Sequence, residues 1–444
     1  MFNTQLALLK GKELKAANSV VAKVRDTFGE ENIFRSSDSF GLEVASYTSG
    51  SVAFDDALGI WGLPQGRLIQ YAGAESSGKT LLALVAAAYV TRVLRKFVYF
   101  IDAEHSLDPV WAAALGVDLS LMLISQPQHG GEVFDLLCGS PPPKSAQRTA
   151  KKAGKELARN KGLLEMPELE GQLGLIILDS IAALPAPQEF MVGAGDVLVA
   201  AQARFLPPVL RKLIPLLGKN GANMIAINQV RVNPGQLFGN PETTPGGRAF
   251  KHACSIMVNF AKVGAKDTEI LDERKEPIGH IVSYNITKNK VAPPFKKGQL
   301  SIEYLRGVVN NETDLLELGK KYGLLKIGKR NNKDATKSQL VTMLDSESAK
   351  PLAPLATLIK QMREDGKTFN SLLEKVKEAK KAELTALVTR DDSEEGGGVD
   401  HDENEAIEAD WSEPDITTEE ESQDNLLSQP AADIADKTDE VLKL

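Results

Sequence analysis

The sequence feature that most constrains the fold is segment 73–80, which reads Gly-Ala-Glu-Ser-Ser-Gly-Lys-Thr. An apolar stretch at 67–72 predicts a buried strand before it, and a helix-forming stretch follows at 81–88. Glycines at such a turn let backbone N–H groups point at phosphate oxygens, and the helix N-terminus adds its positive dipole end. In this pattern the lysine reaches the terminal phosphates and the following hydroxyl holds Mg2+. The segment therefore predicts a nucleoside triphosphate site, and an ordinary glycine-rich turn is the alternative. The expected phosphate contacts are Gly73, Ala74, Glu75, Ser76, Ser77, Gly78, Lys79 and Thr80.

Composition narrows the class of protein. The chain has 444 residues, of which 42% are hydrophobic, so it is long enough for a large core with accessory modules. The sequence has no run of 18 apolar residues and no signal-peptide pattern, which predicts a cytoplasmic protein without a membrane partner. Cys138 and Cys254 are the two cysteines, too few for a disulfide framework.

Charge is distributed unevenly along the chain. The net charge is −8, but residues 391–444 hold twenty Asp or Glu against Lys437 and Lys443, so the other 390 residues carry +10. A basic body with an acidic tail is the pattern expected when a tail competes with nucleic acid for the body. A disordered tail that only adds solubility is the alternative.

The order of elements predicts an α/β fold with a mostly parallel central sheet flanked by helices. Predicted strands alternate with predicted helices, the pattern of a parallel sheet covered on both faces, and ligands then bind at the carboxyl ends of the strands. The strands are expected at 97–102, 121–125, 173–179 and 224–228, and two of the helices at 110–115 and 197–217.

Domain boundaries follow from changes in pattern. We expect an N-terminal helix and strand at 1–38, an ATPase core at 39–311, a small C-terminal module at 312–388 and an acidic disordered tail at 389–444. Inside the core, the block 140–172 begins with three prolines and continues with Arg and Lys, which predicts a basic insertion. A solvated surface insertion is favoured over a dedicated nucleic-acid contact.

Acidic residues end two of the predicted strands. Asp179 ends an apolar strand and is the residue expected to orient Mg2+ from beside the phosphate loop. Glu104 follows another strand and is the candidate base for the attacking water, while Asp102 is expected to be structural. His105 is interpreted as an ordinary surface or core histidine.

Four segments together resemble the bacterial RecA recombinase family. The resemblance spans about 15 to 310 and implies the RecA-type P-loop ATPase core. The segments are the phosphate loop, Phe-Ile-Asp-Ala-Glu-His-Ser-Leu-Asp-Pro at 100–109, Asn-Gln-Val-Arg at 228–231 continuing into a glycine-rich stretch at 238–247, and Lys-Asn-Lys at 288–290 before Ala-Pro-Pro-Phe.

The resemblance assigns roles around the nucleotide, which would be ATP with Mg2+. Lys79 and Thr80 look like the phosphate and Mg2+ contacts, Glu104 like the catalytic glutamate, and Asp179 like the acid near the metal. Asp108 would approach the adenine amino group, and Trp111 stands where the family usually has Tyr against the base. Gln229 resembles the γ-phosphate sensor, and Lys288 and Lys290 resemble the pair that reaches the neighbouring subunit's nucleotide.

The resemblance also implies contacts with DNA and between subunits. The loop 230–248 is similar to the family's second DNA-binding loop, whereas 191–199, at the place of the first, departs from the family sequence at Gly193 to Asp196. Ile33 and Arg35 match the short strand that docks on the adjacent subunit. The expected DNA contacts are Arg204, Arg211, Arg231, Thr243, Thr244, Gly246, Gly247 and Arg248.

The function implied is that of an ATP-dependent DNA recombinase in recombination, repair and the SOS response. It would form filaments on single-stranded DNA, test homology in double-stranded DNA, and work beside single-strand-binding and mediator proteins in the nucleoid, or in the host cytoplasm if virus-encoded. The departures at 140–172 and 312–388 suggest a divergent member, such as one encoded by a bacterial virus. A ring helicase with the same core and a filament that has lost strand exchange are the alternatives.

Overall fold

The computed structural model describes most of the chain between residues 44 and 389. Described are residues 15, 19–20, 22–24, 26–27, 44–142, 145–147, 158–192, 201–232, 242–243, 245–264, 268–329, 339–343 and 351–389. The described positions between 15 and 27 are helical. Ile33, Arg35, Thr244, the segment Gly193 to Asp196 and the acidic tail lie outside the described residues, so the expectations for them stay predictions.

The strands and helices occur in alternating order, as the sequence predicts. The described strands are β1 (Ser46–Tyr47), β2 (Leu63–Pro64), β3 (Leu68–Gly73), β4 (Phe97–Asp102), β5 (Met122–Ser125), β6 (Leu173–Asp179), β7 (Asn223–Gln229), β8 (Arg231–Val232), β9 (Glu242–Thr243), β10 (Ile256–Lys262), β11 (Glu269–Leu271), β12 (Pro277–Asn289), β13 (Lys297–Glu303), β14 (Gly307–Val309), β15 (Leu325–Lys329), β16 (Gln339–Met343) and β17 (Pro351–Pro354). The described helices are α1 (Val52–Leu58), α2 (Lys79–Arg92), α3 (Pro109–Ala114), α4 (Gly130–Cys138), α5 (Pro187–Phe190), α6 (Ala201–Asn220), α7 (Gly247–Ala253), α8 (Asn311–Lys321), α9 (Leu355–Asp365) and α10 (Lys367–Thr389).

A ten-stranded sheet forms the centre of the described part of the chain. Its strand order is β14-β13-β12-β10-β3-β7-β6-β4-β5, with β11 paired to β12. The strands from β10 to β5 are parallel to their neighbours, whereas β12, β13, β14 and β11 pair antiparallel. The mostly parallel α/β fold predicted from the sequence is therefore confirmed.

Burial explains why the central strands read as continuous apolar runs. Every residue of β3 and of β6 is buried, because helices cover both faces of a parallel sheet. One core cluster lies on the face covered by α1 and α2, and a second lies on the face covered by α4 and α6. On α6 the buried residues Leu206, Leu210, Leu213 and Leu217 recur at helical spacing and fix which side meets the sheet.

Several predicted boundaries differ by one to three residues from the observed ones. The strand expected at 121–125 begins at Met122, because Asp118 accepts a hydrogen bond from the backbone of Ser120 and starts a short 3-10 helix at Leu119–Leu121. The long helix expected at 197–217 extends to Asn220, and its described part starts at Ala201.

None of the helices in the described ranges is long and apolar enough to span a bilayer.

Within the block 140–172 expected as a basic insertion, the segment 140–160 leaves and rejoins the core at one place. Backbone hydrogen bonds join Ser140 N to Asn160 O at 3.2 Å and Asn160 N to Ser140 O at 2.9 Å. Arg159 reinforces the junction by donating to the Cys138 carbonyl at 2.9 Å and to Glu165. Gly162 lies so close to Gly139 that a Cβ at Gly162 would stand 2.3 Å from the Gly139 nitrogen. Residues 143–144 and 148–157 of this block lie outside the described residues.

The C-terminal residues add a small separate core. Helices α8, α9 and α10 enclose Leu315, Leu316, Leu358, Leu372 and Val376 with other apolar side chains, and Val52 of α1 packs into the same cluster. Strands β15, β16 and β17 form a three-stranded antiparallel sheet beside them. The described part of this module is therefore built onto α1.

Candidate nucleotide-binding site

The phosphate loop connects β3 to α2 in a conformation that needs its glycines. Gly78 caps α2 with φ of 81°, in the left-handed region that favours glycine. A Cβ at Gly73 would lie 2.3 Å from the Phe260 carbonyl oxygen on the neighbouring strand β10. The loop is therefore pressed between β10 and the N-terminus of α2, and a helix N-terminus attracts anions.

Lys79 is folded into this loop. Its side-chain nitrogen donates to the Ala74 carbonyl oxygen at 2.6 Å and to the Ser77 hydroxyl at 3.3 Å. Burial lowers the pKa of Lys79, while the nearby acids Asp179, Glu104 and Glu75 oppose that shift. The ammonium thus lies inside the cradle in which a phosphate would bind.

The Asp179 carboxylate and the Thr80 hydroxyl are hydrogen-bonded to each other beside the loop. The Thr80 hydroxyl donates to Asp179 Oδ2 at 2.6 Å. Burial raises the pKa of Asp179 to about 6, although the Thr80 bond and the charge of Lys79 favour the ionised form. Within the described residues, no group of three or more His, Cys, Asp or Glu side chains is placed to hold a metal ion alone. A hydroxyl and one carboxylate suit Mg2+, which keeps waters and takes its other ligands from phosphate.

Glu104 lies where three strand ends meet. Its Oε1 accepts hydrogen bonds from the Ser180 hydroxyl, just after β6, and from Gln229 Nε2 at 3.1 Å, at the end of β7. Glu104 itself is exposed, so its carboxylate is accessible to water. The sheet order places β3, β7, β6 and β4 side by side, which is why these residues converge.

Asp102, at the end of β4, stabilises the turn that carries Glu104. It is buried and accepts hydrogen bonds from the backbone of Ser106 at 3.0 Å and from the Gln126 side chain at 3.1 Å. These bonds fix the turn that carries Glu104, which agrees with a structural interpretation of Asp102. His105 is exposed on that turn.

The two residues expected around the base belong to α3 and its N-cap, and one of them, Trp111, is bonded to a distant turn. Asp108 caps α3 by accepting from the Val110 backbone at 2.8 Å. The Trp111 indole nitrogen donates to the Tyr304 carbonyl oxygen at 2.7 Å. The Tyr304 ring packs against His280, with ring centroids 5.7 Å apart. Sequence reasoning did not single out Tyr304 or Ser180, because neither carries a motif signal and only the fold brings each to its partner.

The lysine pair lies at the end of α7. Lys288 Nζ donates to the carbonyl oxygens of Lys251 at 2.5 Å and His252 at 3.2 Å, and Lys290 Nζ donates to His252 at 2.9 Å. Cations are favourable at a helix C-terminus, where carbonyl groups lack intrahelical partners. In the single chain both lysines therefore bond this helix end.

A short hairpin, formed by the antiparallel strands β8 and β9, lies between Gln229 and α7, and residues 233–241 between its strands lie outside the described residues. Arg231 pairs with Thr243 and Val232 with Glu242 across β8 and β9. Asn228 donates to the Pro245 carbonyl at 3.0 Å and holds the far end of the hairpin against β7. Gly246 and Gly247 begin α7 with positive φ angles, and Arg248 on this helix is exposed, as are Arg204 and Arg211 on α6.

A family model and curated proteins match the greater part of the chain. A family model described as the RecA N-terminal domain matches residues 15–139 and 162–309. The protein named Protein RecA from Staphylococcus epidermidis is 38% identical over 305 residues, which cover 69% of this chain and 78% of that protein. Protein RecA from Rubrobacter xylanophilus is 38% identical over 311 residues, covering 70% of this chain and 80% of that protein. A solved structure titled as the RadB recombinase aligns with a TM-score of 0.39 and 18% identity, covering 59% of this chain and 97% of that one.

Proposed function

The chain belongs to the RecA family, and we propose that it acts as an ATP-dependent DNA recombinase that assembles on single-stranded DNA with ATP bound between adjacent subunits. The observation that carries the proposal is the convergence at Glu104. One carboxylate is bonded both to Ser180 and to Gln229, and Gln229 opens the hairpin that leads to α7. Glu104 and Gln229 thereby connect the phosphate site directly to the segment that would bind DNA.

In the proposed reaction each residue near the loop has one task. Lys79 exchanges the Ala74 carbonyl for phosphate oxygens, and backbone N–H groups of the loop hold the rest of the phosphate chain. Thr80 and Asp179 would hold Mg2+, which when bound neutralises charge on the phosphates. Glu104 accepts a proton from the attacking water or orients it, since its carboxylate is exposed beside the loop. Trp111 and Asp108 would contact the base.

Gln229 links hydrolysis to DNA in this proposal. Its amide donates to Glu104 in the described structure, and a γ-phosphate would offer it a charged acceptor instead. Moving that amide shifts the start of β8 and so the hairpin to α7. Arg204, Arg211, Arg231, Thr243, Thr244, Gly246, Gly247 and Arg248 are the proposed DNA contacts.

The proposed filament is supported by the exposed edge of the sheet. Strand β5 is paired only to β4 within the described residues, and Leu123 and Ile124 on it are exposed. An unpaired edge with apolar side chains suits the addition of a strand from a second copy. We propose that the element containing Ile33 and Arg35 occupies this edge in the neighbouring subunit, and that Lys288 and Lys290 complete the neighbour's ATP site.

Site variants with a matched control test the function. Glu104→Gln should retain nucleotide-dependent filaments on single-stranded DNA in electron micrographs and lose DNA-stimulated ATPase by about 100-fold or more, as expected for loss of a general base. Glu378→Gln, on the exposed side of α10, should behave as the unmodified chain. Rings in place of filaments, or unchanged hydrolysis by Glu104→Gln, would contradict the proposal.

The acidic tail is proposed to compete with DNA for the basic body. Deleting residues 391–444 removes a charge of −18 and should strengthen duplex binding at moderate salt. Binding is measured by fluorescence anisotropy across a salt series. An unchanged affinity would favour a tail that serves solubility alone.

A further inference from the structure

The C-terminal end of α1 is bonded from two directions by side chains far away in the sequence. Asn289 Nδ2 donates to the Leu58 carbonyl oxygen at 3.0 Å, and Lys380 Nζ donates to the Asp56 carbonyl oxygen at 2.7 Å. The last carbonyl groups of a helix lack regular intrahelical partners. The Leu58 carbonyl is satisfied by Asn289, and the Asp56 carbonyl accepts from Lys380 in addition to the Gly59 backbone N–H at 3.1 Å. One short helix end thus joins strand β12 to helix α10 of the C-terminal module.

On the module side, three residues converge on the Asp56 carboxylate. Oδ1 accepts from Lys380 at 2.7 Å and from the Tyr322 hydroxyl at 2.8 Å, and Oδ2 accepts from Lys321 at 2.9 Å. Asp56 and Lys380 are each 5% exposed, and the Lys380 ammonium lies 4.7 Å from the centre of the Trp61 ring. Burial alone would raise the pKa of Asp56, but the bonds from Lys380 and its charge hold that pKa below its usual value. Such a buried, fully bonded pair resists separation.

On the other side, Asn289 fixes the end of β12. Its Oδ1 accepts from the backbone N–H groups of Val291 at 3.0 Å and Ala292 at 3.1 Å, so the turn after the strand is closed by the same side chain. Gly59, which ends α1, lies so close to Ala292 that a Cβ at Gly59 would be 2.3 Å from the Ala292 Cβ. The helix end and the turn are therefore in direct contact and are bonded by the same side chain.

Asn289 stands between the two lysines that bond α7. Successive side chains of a strand point to opposite faces, so Lys288 lies on the face of β12 opposite Asn289. That face is the one that carries the bonds to Lys251 and His252. Lys290, the residue after the strand, bonds the same helix end as Lys288. The direction of the lysine pair thus depends on where the end of α1 is held.

We propose that Lys380 is a positioning residue for the lysine pair, acting through Asp56, the end of α1 and Asn289. The inference rests on the proposed role of Lys288 and Lys290 at the neighbouring subunit's ATP. Lys380 lies beyond residue 309, where the family-model match ends, so the C-terminal module contributes this control of the ATPase. A module that is only attached to the core is the alternative.

Kinetics of a neutral variant separate these readings. Lys380→Met keeps the length of the side chain and removes the charge and its bonds. We expect kcat of the DNA-dependent ATPase to fall about 10-fold with KM for ATP changed less than about 2-fold, since the subunit's own phosphate loop is intact. Lys360→Met is the matched control, because this lysine is 75% exposed in a surface pair with Glu364 on α9 of the same module. Lys380→Arg should restore most of the rate. Loss of stability with an unchanged kcat would overturn the proposal.

A double-mutant cycle tests the route. Asn289→Ala alone should also lower kcat, and adding Lys380→Met to it should cost little more if both act through the end of α1. Fully additive losses would overturn the route. If Lys380→Met is poorly folded, Tyr322→Phe removes a single hydrogen bond to Asp56 and should give a smaller change in the same direction, and its absence would count against the proposal.

Two further measurements distinguish failure of this inference from failure of the proposed function. Ala substitutions at Lys288 and Lys290 that leave the ATPase intact would refute the role of the lysine pair itself. Amide hydrogen exchange does not depend on activity, and Lys380→Met should speed exchange at Val291 and Ala292 relative to Lys360→Met. Equal exchange in the two variants would show that the module does not hold this turn.

Discussion

Two clusters in this molecule each contain a buried lysine and a buried aspartate, and they use them in opposite ways. The phosphate-loop cluster contains Lys79, Thr80 and Asp179, and the module cluster contains Asp56, Lys321, Tyr322 and Lys380. In the first, the lysine bonds a backbone carbonyl and a hydroxyl, and burial raises the pKa of the carboxyl to about 6. In the second, two lysines bond the carboxylate directly, and its pKa lies below the usual value because their bonds outweigh burial.

The difference distinguishes a cluster suited to binding a ligand from a cluster that stabilises the fold. In the phosphate-loop cluster, phosphate oxygens can replace the carbonyl and hydroxyl that Lys79 bonds. The negative charge of phosphate would then compensate Lys79, and Mg2+ would compensate Asp179. The module cluster is complete within the chain, so it needs no ligand and gains nothing from one. A buried charge that its surroundings leave poorly compensated therefore indicates where a ligand enters.

The largest expected effect comes from the phosphate-loop cluster. Lys79→Ala should reduce DNA-stimulated ATPase by about 100-fold or more, because a charge that stabilises the transferring phosphoryl group is lost. Thermal unfolding without nucleotide should change little, since the bonds of Lys79 go to groups of its own loop. Retained ATPase would show that the two clusters do not differ as described.

Breaking the module cluster should lower stability, in addition to the loss of kcat proposed above. Asp56→Ala leaves Lys380 buried without its carboxylate and should lower the free energy of unfolding by about 3–5 kcal/mol, the usual cost of removing one partner of a buried pair. Urea titration followed by circular dichroism measures the loss. Glu364→Ala, which removes the partner of exposed Lys360, serves as the control and should cost far less. A similar loss in both variants would contradict the comparison.

Gln229→Ala should reduce stimulation of the ATPase by DNA more than it reduces nucleotide affinity. The variant loses the amide that bonds Glu104, so nucleotide affinity should hold while stimulation of the ATPase by single-stranded DNA falls about 10-fold, as expected for the loss of one hydrogen bond worth about 1.4 kcal/mol. Filter binding of a nucleotide analogue and ATPase assays with and without DNA give the two numbers. Equal losses in both assays would place Gln229 in binding alone.

The smallest effect sharpens the comparison inside one helix. Burial raises the pKa of Asp55 to about 6, although bonds from Ser49 and Thr48 favour its ionised form. A raised folded-state pKa gives stability that is present at low pH and lost as pH rises through about 6. Asp55→Asn should therefore reduce the loss of stability between pH 5 and pH 8, by on the order of 1 kcal/mol. Unfolding curves at the two pH values measure this, and an unchanged pH slope would argue against the burial effect.

The sequence predicts elements well where the signal is local. The bounds expected for β4 and β6 agree with the structure, because each is an apolar run ended by an acid. The approach of Glu104 to Gln229 follows once the sheet order is known, but strand order is a long-range property that no local pattern encodes.

Contacts between distant segments are the part that could not be predicted. Lys380 bonds Asp56 across 324 positions, and Trp111 bonds the Tyr304 carbonyl across 193. In the sequence Lys380 is one lysine in a lysine-rich helix, and nothing marks it as buried. Its role depends on how α10 packs on α1, which is decided by the whole apolar cluster between them.

The junction of the basic insertion has a consequence for engineering the protein. Because Ser140 and Asn160 are hydrogen-bonded to each other and Gly139 contacts Gly162, the intervening residues form a cassette whose two ends meet. Joining 139 to 162 directly should delete the cassette without stretching the core, and the same point can carry a fluorescent tag or an affinity handle in its place.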